Sequence, residues 1–279
     1  MCRFVLYHGP ELSIDMLTTR PRHSIVKQST SAELRPEPLN GDGFGVAWYA
    51  EGHREVARFR SVMPAWSNQN LQHLARVTTS KTILAHVRAA SPGLPVVETN
   101  CHPFVCGQLS FMHNGGIPDF HRFKRAIQQK LSDTAYNMIL GSTDSEHLFA
   151  LCLTHLEPHQ APYTLEQLQA AMGRAIQEAE ALRVELGVER SHQLNLVLST
   201  GDLSVVSRYA SFGEPSSLFR HDGAEYSCVN GVCVMAEADE SQQAIIVASE
   251  PLSSDSGWEV VAANSIVAIG NGGVQISAI

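Results

Sequence analysis

Cys2 is the residue whose chemistry stands out in this chain. It directly follows the initiator methionine and is small enough for that methionine to be removed. Removal would leave a thiol and a free α-amine on one residue, and the amine, whose ordinary pKa is about 8, could accept the thiol proton. Cys2 is therefore a candidate nucleophile that carries its own base. The alternative is that position 2 tolerates any small residue.

The residues after Cys2 would hold such a nucleophile in place. Arg3 to His8 contains Phe, Val, Leu and Tyr in succession, which predicts a strand. A chain end that is paired in a sheet is held still, whereas most chain ends fray. Residues 10–38 are rich in Pro, Ser and Thr and predict a long surface loop.

Two loops beside predicted strands add polar chemistry. The run Asn40-Gly-Asp-Gly-Phe-Gly places three glycines in five positions before a strand. It indicates either a ligand loop or a simple hairpin turn. Another strand ends at Arg88 and Ser91 before Pro-Gly. A guanidinium among small apolar residues needs an anion, and either a ligand carboxylate or an internal salt bridge could supply one.

Further along the chain, a strand ends at Asn114-Gly115. The asparagine amide and the glycine N–H could form a two-donor oxyanion hole, although Asn-Gly alone predicts only a turn. His102 precedes Pro103 and therefore lies in extended or turn geometry. Asp144 follows Thr143, with Glu146 three residues after the threonine, which is typical of a helix N-terminus. Asp144 could bind a ligand ammonium group only if it turned away from its own helix.

Composition limits the possible function classes. The chain has 279 residues, 44% hydrophobic content and a net charge of −8. We expect one domain over residues 1–279, and the scattered basic residues argue against nucleic-acid binding. No secretory signal or membrane-spanning run is predicted, so we expect a cytoplasmic protein.

The six cysteines fit a reducing compartment better than a disulfide framework. Cys101 and Cys106 form one spaced pair, and Cys228 and Cys233 form another. A zinc site is the alternative, but the long gap between the pairs and the apolar residues beside the second pair favour buried thiols. We therefore expect neither a metal nor a cofactor.

The order of predicted elements indicates an α+β fold. Helices are predicted near residues 68–78, 118–131, 144–153 and 164–186, and strands occupy the start and the last third of the chain. The strands of the last third include Leu194–Ser199, Leu203–Tyr209 and Ser265–Ile269, and Asn271-Gly272 is predicted to close the last hairpin. This pattern predicts antiparallel sheets between helix layers.

Taken together, these segments resemble the class II glutamine amidotransferases, which are N-terminal-nucleophile hydrolases. The resemblance rests on five elements in one chain order, which are Cys2, Asn40–Gly45, His86–Ser91, Asn100–Phe104 with Phe111–Gly115, and Ser142–Glu146. It implies a four-layer α/β/β/α sandwich of two antiparallel sheets. It also implies hydrolysis of γ-glutamyl amides through a thioester on the N-terminal cysteine.

The resemblance assigns roles to the matching residues. Cys2 would be the nucleophile, with its α-amine as the base, and Asn114 and Gly115 would form the oxyanion hole. Arg88 would bind the substrate α-carboxylate and Asp144 its α-ammonium group, so that one cation and one anion receive a zwitterion. The remaining pocket residues would be Ser91 and His102.

Longer strings are similar to a stand-alone branch of the family, the amidotransferase subunits of the fungal-type alternative glutathione-degradation complex. They include Thr99-Asn-Cys-His-Pro-Phe and Phe111-Met-His-Asn-Gly-Gly-Ile. Many family members have an arginine just before the Asp-Gly turn, where this chain has Leu39-Asn40, so a contact from such an arginine is not expected here. The branch implies action on glutathione or a related γ-glutamyl thiol compound, together with a metallopeptidase-like partner.

Three alternatives remain open from the sequence. The chain could supply ammonia to a separate synthase as a glutaminase subunit, or hydrolyse a γ-glutamyl sulfoxide in ergothioneine synthesis. It could also be a non-catalytic binding subunit if Met1 is retained, because the α-amine would then be an amide. The leaving group is not encoded in the sequence, because the other half of the substrate would contact loops such as residues 10–38 and 211–240, which contain no readable motif.

Overall fold

The structure is a computed structural model that describes residues 2–34, 39–91, 93–157, 161–237, 243–270 and 273–279. These residues form two compact units. The first contains the chain up to Met112 together with Ser217–Val261, and the second contains His113–Ser216 and Ala262–Ile279. A single domain over residues 1–279 stays a prediction.

Strands make up much of the described chain. In chain order they are β1 (Arg3–Ser13), β2 (Phe44–Trp48), β3 (Ala57–Ser61), β4 (Thr79–Val87), β5 (Phe104–Cys106), β6 (Leu109–Gly116), β7 (Gln193–Ser199), β8 (Ser204–Arg208), β9 (Phe219–Gly223), β10 (Tyr226–Val229), β11 (Val232–Met235), β12 (Ala244–Ala248), β13 (Glu259–Val260), β14 (Ser265–Gly270) and β15 (Gly273–Ala278). The helices are α1 (Asp15–Thr18), α2 (Ile25–Gln28), α3 (Gln69–Val77), α4 (Phe120–Gln128), α5 (Asp133–Asn137), α6 (Asp144–Leu156) and α7 (Leu165–Glu185). Short 3₁₀ turns occupy Ala65–Ser67 and Glu98–Asn100.

The first unit is built on a seven-stranded antiparallel sheet in the order β13-β9-β12-β1-β4-β2-β3. Strand β1 is the middle strand, and it pairs with β4 from Arg3↔Val87 onward and with β12 from Val5↔Ala248 onward. Backbone pairing on both sides therefore begins within three residues of Cys2. The strand predicted for Arg3 to His8 is confirmed, and it continues to Ser13.

Strand β1 is buried on both of its faces. Val5 and Tyr7 belong to a core cluster that also contains Ile14, Leu17 and Ile25 from the segment that follows the strand. The alternate residues Phe4 and Leu6 are no more than 1% exposed as well. A strand covered on both faces reads as a continuous apolar run, as this one does.

The prediction of a long irregular loop over residues 10–38 is wrong for its described part. Besides the end of β1, the segment contains the two four-residue helices α1 and α2. Ser24 begins α2 by accepting a hydrogen bond from the Lys27 N–H. Helices this short show no apolar periodicity in sequence, and they are stabilised here by burial of Ile14, Leu17 and Ile25 in the core.

The prediction of a loop over residues 211–240 is also wrong for its described part, which ends at residue 237. Strand β9 joins the sheet, and β10 and β11 form a separate hairpin in which Cys228 pairs with Cys233. A disulfide joins these two cysteines, so their interpretation as free buried thiols is wrong. Directly paired cysteines of a hairpin lie close enough for this bond, which spacing in sequence does not reveal.

The second unit contains the long helices. Helices α6 and α7 pack together, and α7 also lies against β8 and β14. Thr164 begins α7 in a capping box with Gln167, and the buried stripe includes Leu168, Met172 and Ile176. The helix predicted for residues 164–186 is therefore confirmed.

The second sheet is six-stranded, in the order β15-β14-β8-β7-β6-β5. Strand β6 belongs to both units, because the chain passes from the first to the second between Met112 and His113. Strands β14 and β15 form the predicted last hairpin, with Gly270 paired to Gly273. The turn residues predicted for it, Asn271-Gly272, lie outside the described residues.

The predicted fold class, two large antiparallel sheets combined with helices, is confirmed. In the described part of the chain, no helix is both long enough and apolar enough to cross a bilayer.

Candidate active site

Cys2 is partly exposed and lies directly before the middle strand of the seven-stranded sheet. Its thiol donates to the carbonyl oxygen of Ala89, with 3.6 Å between the sulfur and the oxygen. Ala89 follows the end of β4, the neighbour of β1. The thiol therefore faces the segment that carries Arg88 and Ser91.

The glycine-rich loop contacts this same segment. The Asp42 N–H donates to the Arg88 carbonyl, and the Arg88 N–H donates to the Gly43 carbonyl, at 3.0 and 2.8 Å. The Asp42 carboxylate accepts from the Ala90 N–H at 2.8 Å. The glycine-rich loop is therefore not only a hairpin turn. Its hydrogen bonds to Arg88 and Ala90 fix the backbone on both sides of Ala89.

Two of its glycines are required by close packing. Gly43 has φ +112°, and a Cβ there would lie 2.6 Å from the Cys101 sulfur. A Cβ on Gly45 would lie 2.1 Å from the His102 carbonyl oxygen. Only glycine lets the segment around residues 101–102 approach the loop this closely.

Arg88 is buried, with 3% of its surface exposed. Its guanidinium donates to the carbonyl oxygens of Asp42 and Pro95, each at 3.3 Å. No ion pair joins it to a carboxylate in the described part of the chain, so the internal salt bridge considered from the sequence is not found there. A buried guanidinium bound only by carbonyls can still accept a carboxylate ligand.

His102 and Ser91 differ in their surroundings. The His102 ring is buried, stacks on His86 with 4.0 Å between ring centroids, and meets the Phe104 ring edge-on. Ser91 is exposed, and its carbonyl accepts from the Leu94 N–H. Their assignment to a glutamyl pocket stays a prediction.

Cys101 lies in the same neighbourhood, and it is a free, buried thiol as predicted. Burial raises the pKa of its thiol, while the positive charges of Arg88 and Arg60 act in the opposite direction. Its sulfur contacts the Ser61 and Val97 carbonyls at 3.7 Å. A thiol held in this way fills space beside Gly43, so Cys101 is a packing residue.

In the second unit, Asn114 and Gly115 end strand β6 as predicted. Asn114 is fully buried. Gly115 has φ +151°, and a Cβ on it would lie 1.8 Å from the Gln193 carbonyl oxygen. The Asn-Gly pair is therefore a strand end packed against β7, and no other residue fits at position 115.

Asp144 lies beside this strand end. One carboxylate oxygen accepts from the Ile117 N–H at 2.7 Å, and the other accepts from the Ser145 N–H at 2.8 Å. Thr143 begins the helix by accepting from the Glu146 N–H. The predicted helix start is confirmed. One carboxylate oxygen of Asp144 is hydrogen-bonded within its own helix, and the other is hydrogen-bonded to the segment that follows Asn114-Gly115.

The predicted residues thus fall into two sets. Cys2, Arg88, Ser91 and His102 lie in the first unit, and Asn114, Gly115 and Asp144 lie in the second. The roles of all seven stay predictions. Among the described residues, no group of three or more His, Cys, Asp or Glu side chains is arranged to hold a metal ion.

Sequence reasoning did not single out Arg3 and Glu250. Both side chains are fully buried and form an ion pair, and Arg3 also donates to the carbonyl oxygen of Cys2. Arg3 could have been found from the sequence, because it is a charged residue at the start of an apolar strand. A guanidinium in such a position needs an anion, as was argued for Arg88.

Residues 24–279 match the family model described as "Glutamine amidotransferases class-II". This match covers most of the chain. The chain belongs to the class II glutamine amidotransferases.

Individual relatives support this membership. The Saccharomyces cerevisiae (strain ATCC 204508 / S288c) protein described as "Probable glutamine amidotransferase DUG3" is 39% identical over 293 residues, covering 96% of this chain and 82% of that protein. The Mycobacterium tuberculosis (strain CDC 1551 / Oshkosh) protein named "Gamma-glutamyl-hercynylcysteine sulfoxide hydrolase" is 24% identical over 281 residues, covering 100% of this chain and 97% of that protein.

A solved structure shares the fold. The glutamine aminotransferase class-II domain protein from Silicibacter pomeroyi superposes with a TM-score of 0.68 at 27% identity, covering 99% of both chains. The predicted family and enzyme class are confirmed by these matches.

Proposed function

We propose that this protein hydrolyses the amide bond of a γ-glutamyl compound through a thioester on Cys2, with release of glutamate. The observation that carries the proposal is the position of Cys2, a partly exposed thiol at the start of the middle strand, beside the segment of the buried Arg88. Membership of the class II glutamine amidotransferases supports it.

The reaction would begin after removal of Met1, when Cys2 has a free α-amine. The amine accepts the thiol proton, and the thiolate attacks the γ-carbonyl carbon. The Asn114 amide and the Gly115 N–H would donate to the oxyanion that forms. The amine product then leaves with the proton held by the α-amine, and water hydrolyses the thioester to give glutamate and free Cys2.

Substrate recognition would rest on two opposite charges. Arg88 would bind the α-carboxylate, since its hydrogen bonds to the Asp42 and Pro95 carbonyls use two of the five guanidinium N–H donors. Asp144 would bind the α-ammonium group through a carboxylate that is already oriented by the Ile117 and Ser145 N–H groups. His102 and Ser91 would complete this pocket.

The substrate is proposed to be glutathione or a related γ-glutamyl thiol compound. The similarity to the stand-alone branch supports this choice, as does a relative named for a γ-glutamyl thiol sulfoxide. A metallopeptidase-like partner protein and a cytoplasmic location belong to the same proposal.

The test compares glutamate release from glutamine, glutathione and a γ-glutamyl thiol sulfoxide, using protein whose mass shows that Met1 has been removed. We expect release from glutathione or the sulfoxide to exceed release from glutamine, and a Cys2→Ala variant of equal stability to release none. Protein that leaves all three compounds intact, with and without a partner subunit, would refute the proposal.

A glutaminase that supplies ammonia to a synthase is the second candidate, favoured by the description of the yeast relative as a probable glutamine amidotransferase. Faster release from glutamine than from the other two compounds, increased further by an added synthase, would select it. Protein from its native source that retains Met1 would instead indicate a binding subunit.

A further inference from the structure

The two faces of strand β1 carry different chemistry at its first residues. Side chains alternate along a strand, so Arg3 shares a face with Val5 and Tyr7, whereas Cys2 shares the other face with Phe4 and Leu6. Val5 and Tyr7 contribute to the core cluster with the segment that follows the strand. Arg3 therefore extends away from the thiol, behind the backbone of the nucleophile.

Arg3 contacts the nucleophile residue directly. One terminal nitrogen of its guanidinium donates to the carbonyl oxygen of Cys2 at 2.9 Å. This carbonyl belongs to the peptide group that follows the α-carbon of Cys2. Fixing the peptide group limits rotation about the bond that sets the directions of both the α-amine and the thiol.

Glu250 fixes Arg3 in turn. Arg3 Nε donates to one Glu250 carboxylate oxygen at 2.8 Å, and both side chains are 0% exposed. Glu250 follows Ser249, whose hydroxyl accepts from the Phe4 N–H at 3.1 Å and whose own N–H donates to the Phe4 carbonyl at 3.0 Å. The chain next to Glu250 is thus hydrogen-bonded to the strand that begins at Cys2.

The segment after β1 holds the other side of Glu250. His23 Nε2 and the Glu33 N–H contact the second carboxylate oxygen at 3.2 and 2.9 Å. The Gln28 amide donates to the Glu250 carbonyl at 3.3 Å. Since an ionised carboxylate only accepts hydrogen bonds, His23 Nε2 is the donor in its contact.

Such a cluster is costly to bury and has a definite geometry. A fully buried ion pair adds little stability over a well-packed apolar pair, so stability alone does not explain it. The planar guanidinium can donate to a carboxylate and to a carbonyl at the same time, in fixed directions. Arg3 uses this property to join Glu250 to the carbonyl of Cys2.

We propose that Arg3 and Glu250 are positioning residues, which hold the Cys2 backbone so that the α-amine and the thiol keep the arrangement needed for proton transfer and attack. The proposal rests on the proposed function for its catalytic consequence. Neither side chain needs to touch the substrate.

The test uses Arg3→Lys in protein that lacks Met1. Lysine keeps the positive charge but has a single nitrogen in place of the planar guanidinium. It therefore cannot reproduce the contacts of Arg3 with both the Glu250 carboxylate and the Cys2 carbonyl. We expect kcat to fall about 10- to 100-fold, with KM within about twofold of wild type, because misplacement of a reacting group by about 1 Å has effects of this size. The pH profile of iodoacetamide alkylation at Cys2, measured by peptide mass spectrometry, should shift as well.

Arg208→Lys is the matched control. Arg208 is also a buried arginine, and it donates to the Glu214 carboxylate at 2.6 Å and to the Ser216 carbonyl at 3.0 Å, in the second unit. We expect its substitution to leave kcat and the alkylation profile of Cys2 unchanged. A drop in kcat of similar size in both variants would overturn the proposal.

Folding and function are separated by two further measurements. If Arg3→Lys does not fold, the double variant Arg3→Met/Glu250→Met removes both charges and should restore the fold but not the wild-type alkylation profile. A folded variant of either kind with wild-type kcat and profile would overturn the proposal. Wild-type protein that hydrolyses no γ-glutamyl compound would refute the proposed function, while a shifted profile in Arg3→Lys would still support the positioning role.

Discussion

Two buried arginines of the first unit differ in what they bind. Arg3 is paired with the buried carboxylate of Glu250, whereas Arg88 donates only to the carbonyls of Asp42 and Pro95 among the described residues. The positive charge of Arg3 is balanced within the protein by this carboxylate. An arginine that binds only carbonyls retains affinity for a carboxylate, which fits the role we propose for Arg88 with the substrate.

This difference gives opposite expectations for substitution by methionine. Arg88→Met should lower kcat/KM about 100-fold, because a charged hydrogen-bonded partner of the substrate is lost, and should cost less than about 2 kcal/mol of stability. Arg3→Met leaves the buried Glu250 carboxylate without its arginine partner, and should cost about 3–5 kcal/mol. Steady-state kinetics and urea unfolding would measure the two effects.

Arg3→Met thus serves as the stability control for Arg88→Met. Equal losses of stability in the two variants would contradict this account of Arg88. So would an Arg88→Met variant whose kcat/KM matches wild type.

At the scale of elements, the glycine-rich loop is shaped by what packs against it. Gly45 belongs to strand β2, and the His102 carbonyl approaches it more closely than any Cβ allows. The neighbouring Gly43 faces the Cys101 sulfur in the same way. These contacts join the loop to the segment that carries His102, so the loop geometry and the predicted pocket depend on each other.

We therefore expect Gly45→Ala to lower the free energy of unfolding by about 2–3 kcal/mol, because a backbone carbonyl cannot move aside as a flexible side chain can. Gly173→Ala is the control. Gly173 lies inside helix α7 with open space around its Cβ position, so alanine should stabilise the protein by about 0.5–1 kcal/mol. Urea unfolding of both variants decides the matter, and a neutral Gly45→Ala would contradict the close approach.

At the scale of the whole molecule, the Arg3–Glu250 pair couples folding to pH. Burial alone would raise the pKa of Glu250, but hydrogen bonds from His23 and the Glu33 N–H, together with the charge and hydrogen bond of Arg3, lower it to about 2. The unfolded chain, in which this pKa is about 4.5, binds the proton more readily. The stability that Glu250 contributes is therefore present above pH 4.5 and is lost as the pH falls toward 2.

We expect this loss to be on the order of 3 kcal/mol, since each pKa unit corresponds to about 1.4 kcal/mol. About 2 kcal/mol of this loss falls between pH 6 and pH 3. Urea unfolding over this range would measure it for wild type and for Glu250→Gln, which has no carboxyl group to protonate. The stability of wild type should fall more steeply than that of the variant below pH 4.5. Parallel curves would show that Glu250 is not held ionised by its partners.

The candidate site could be proposed from the sequence because the patterns that indicate it are local. Cys2, the glycine run, Arg88, Asn114-Gly115 and Asp144 each lie at a predicted strand or helix end, and their chain order resembles one family. Helix α7 and strands β7, β8 and β14 were predicted for the same reason, since apolar periodicity depends only on neighbouring residues.

The features that could not be predicted from the sequence depend on contacts formed only in the folded protein. Arg3 and Glu250 are 247 positions apart, so no local pattern indicates that they meet. The two short helices after β1 form because core burial compensates for their low intrinsic stability, and the Cys228–Cys233 bond forms because hairpin pairing places the two residues opposite each other. The sequence by itself determined which residues can do chemistry and the family to which they belong. Only the tertiary structure decided which buried residues contact the backbone of Cys2, because Arg3 and Glu250 meet through long-range packing.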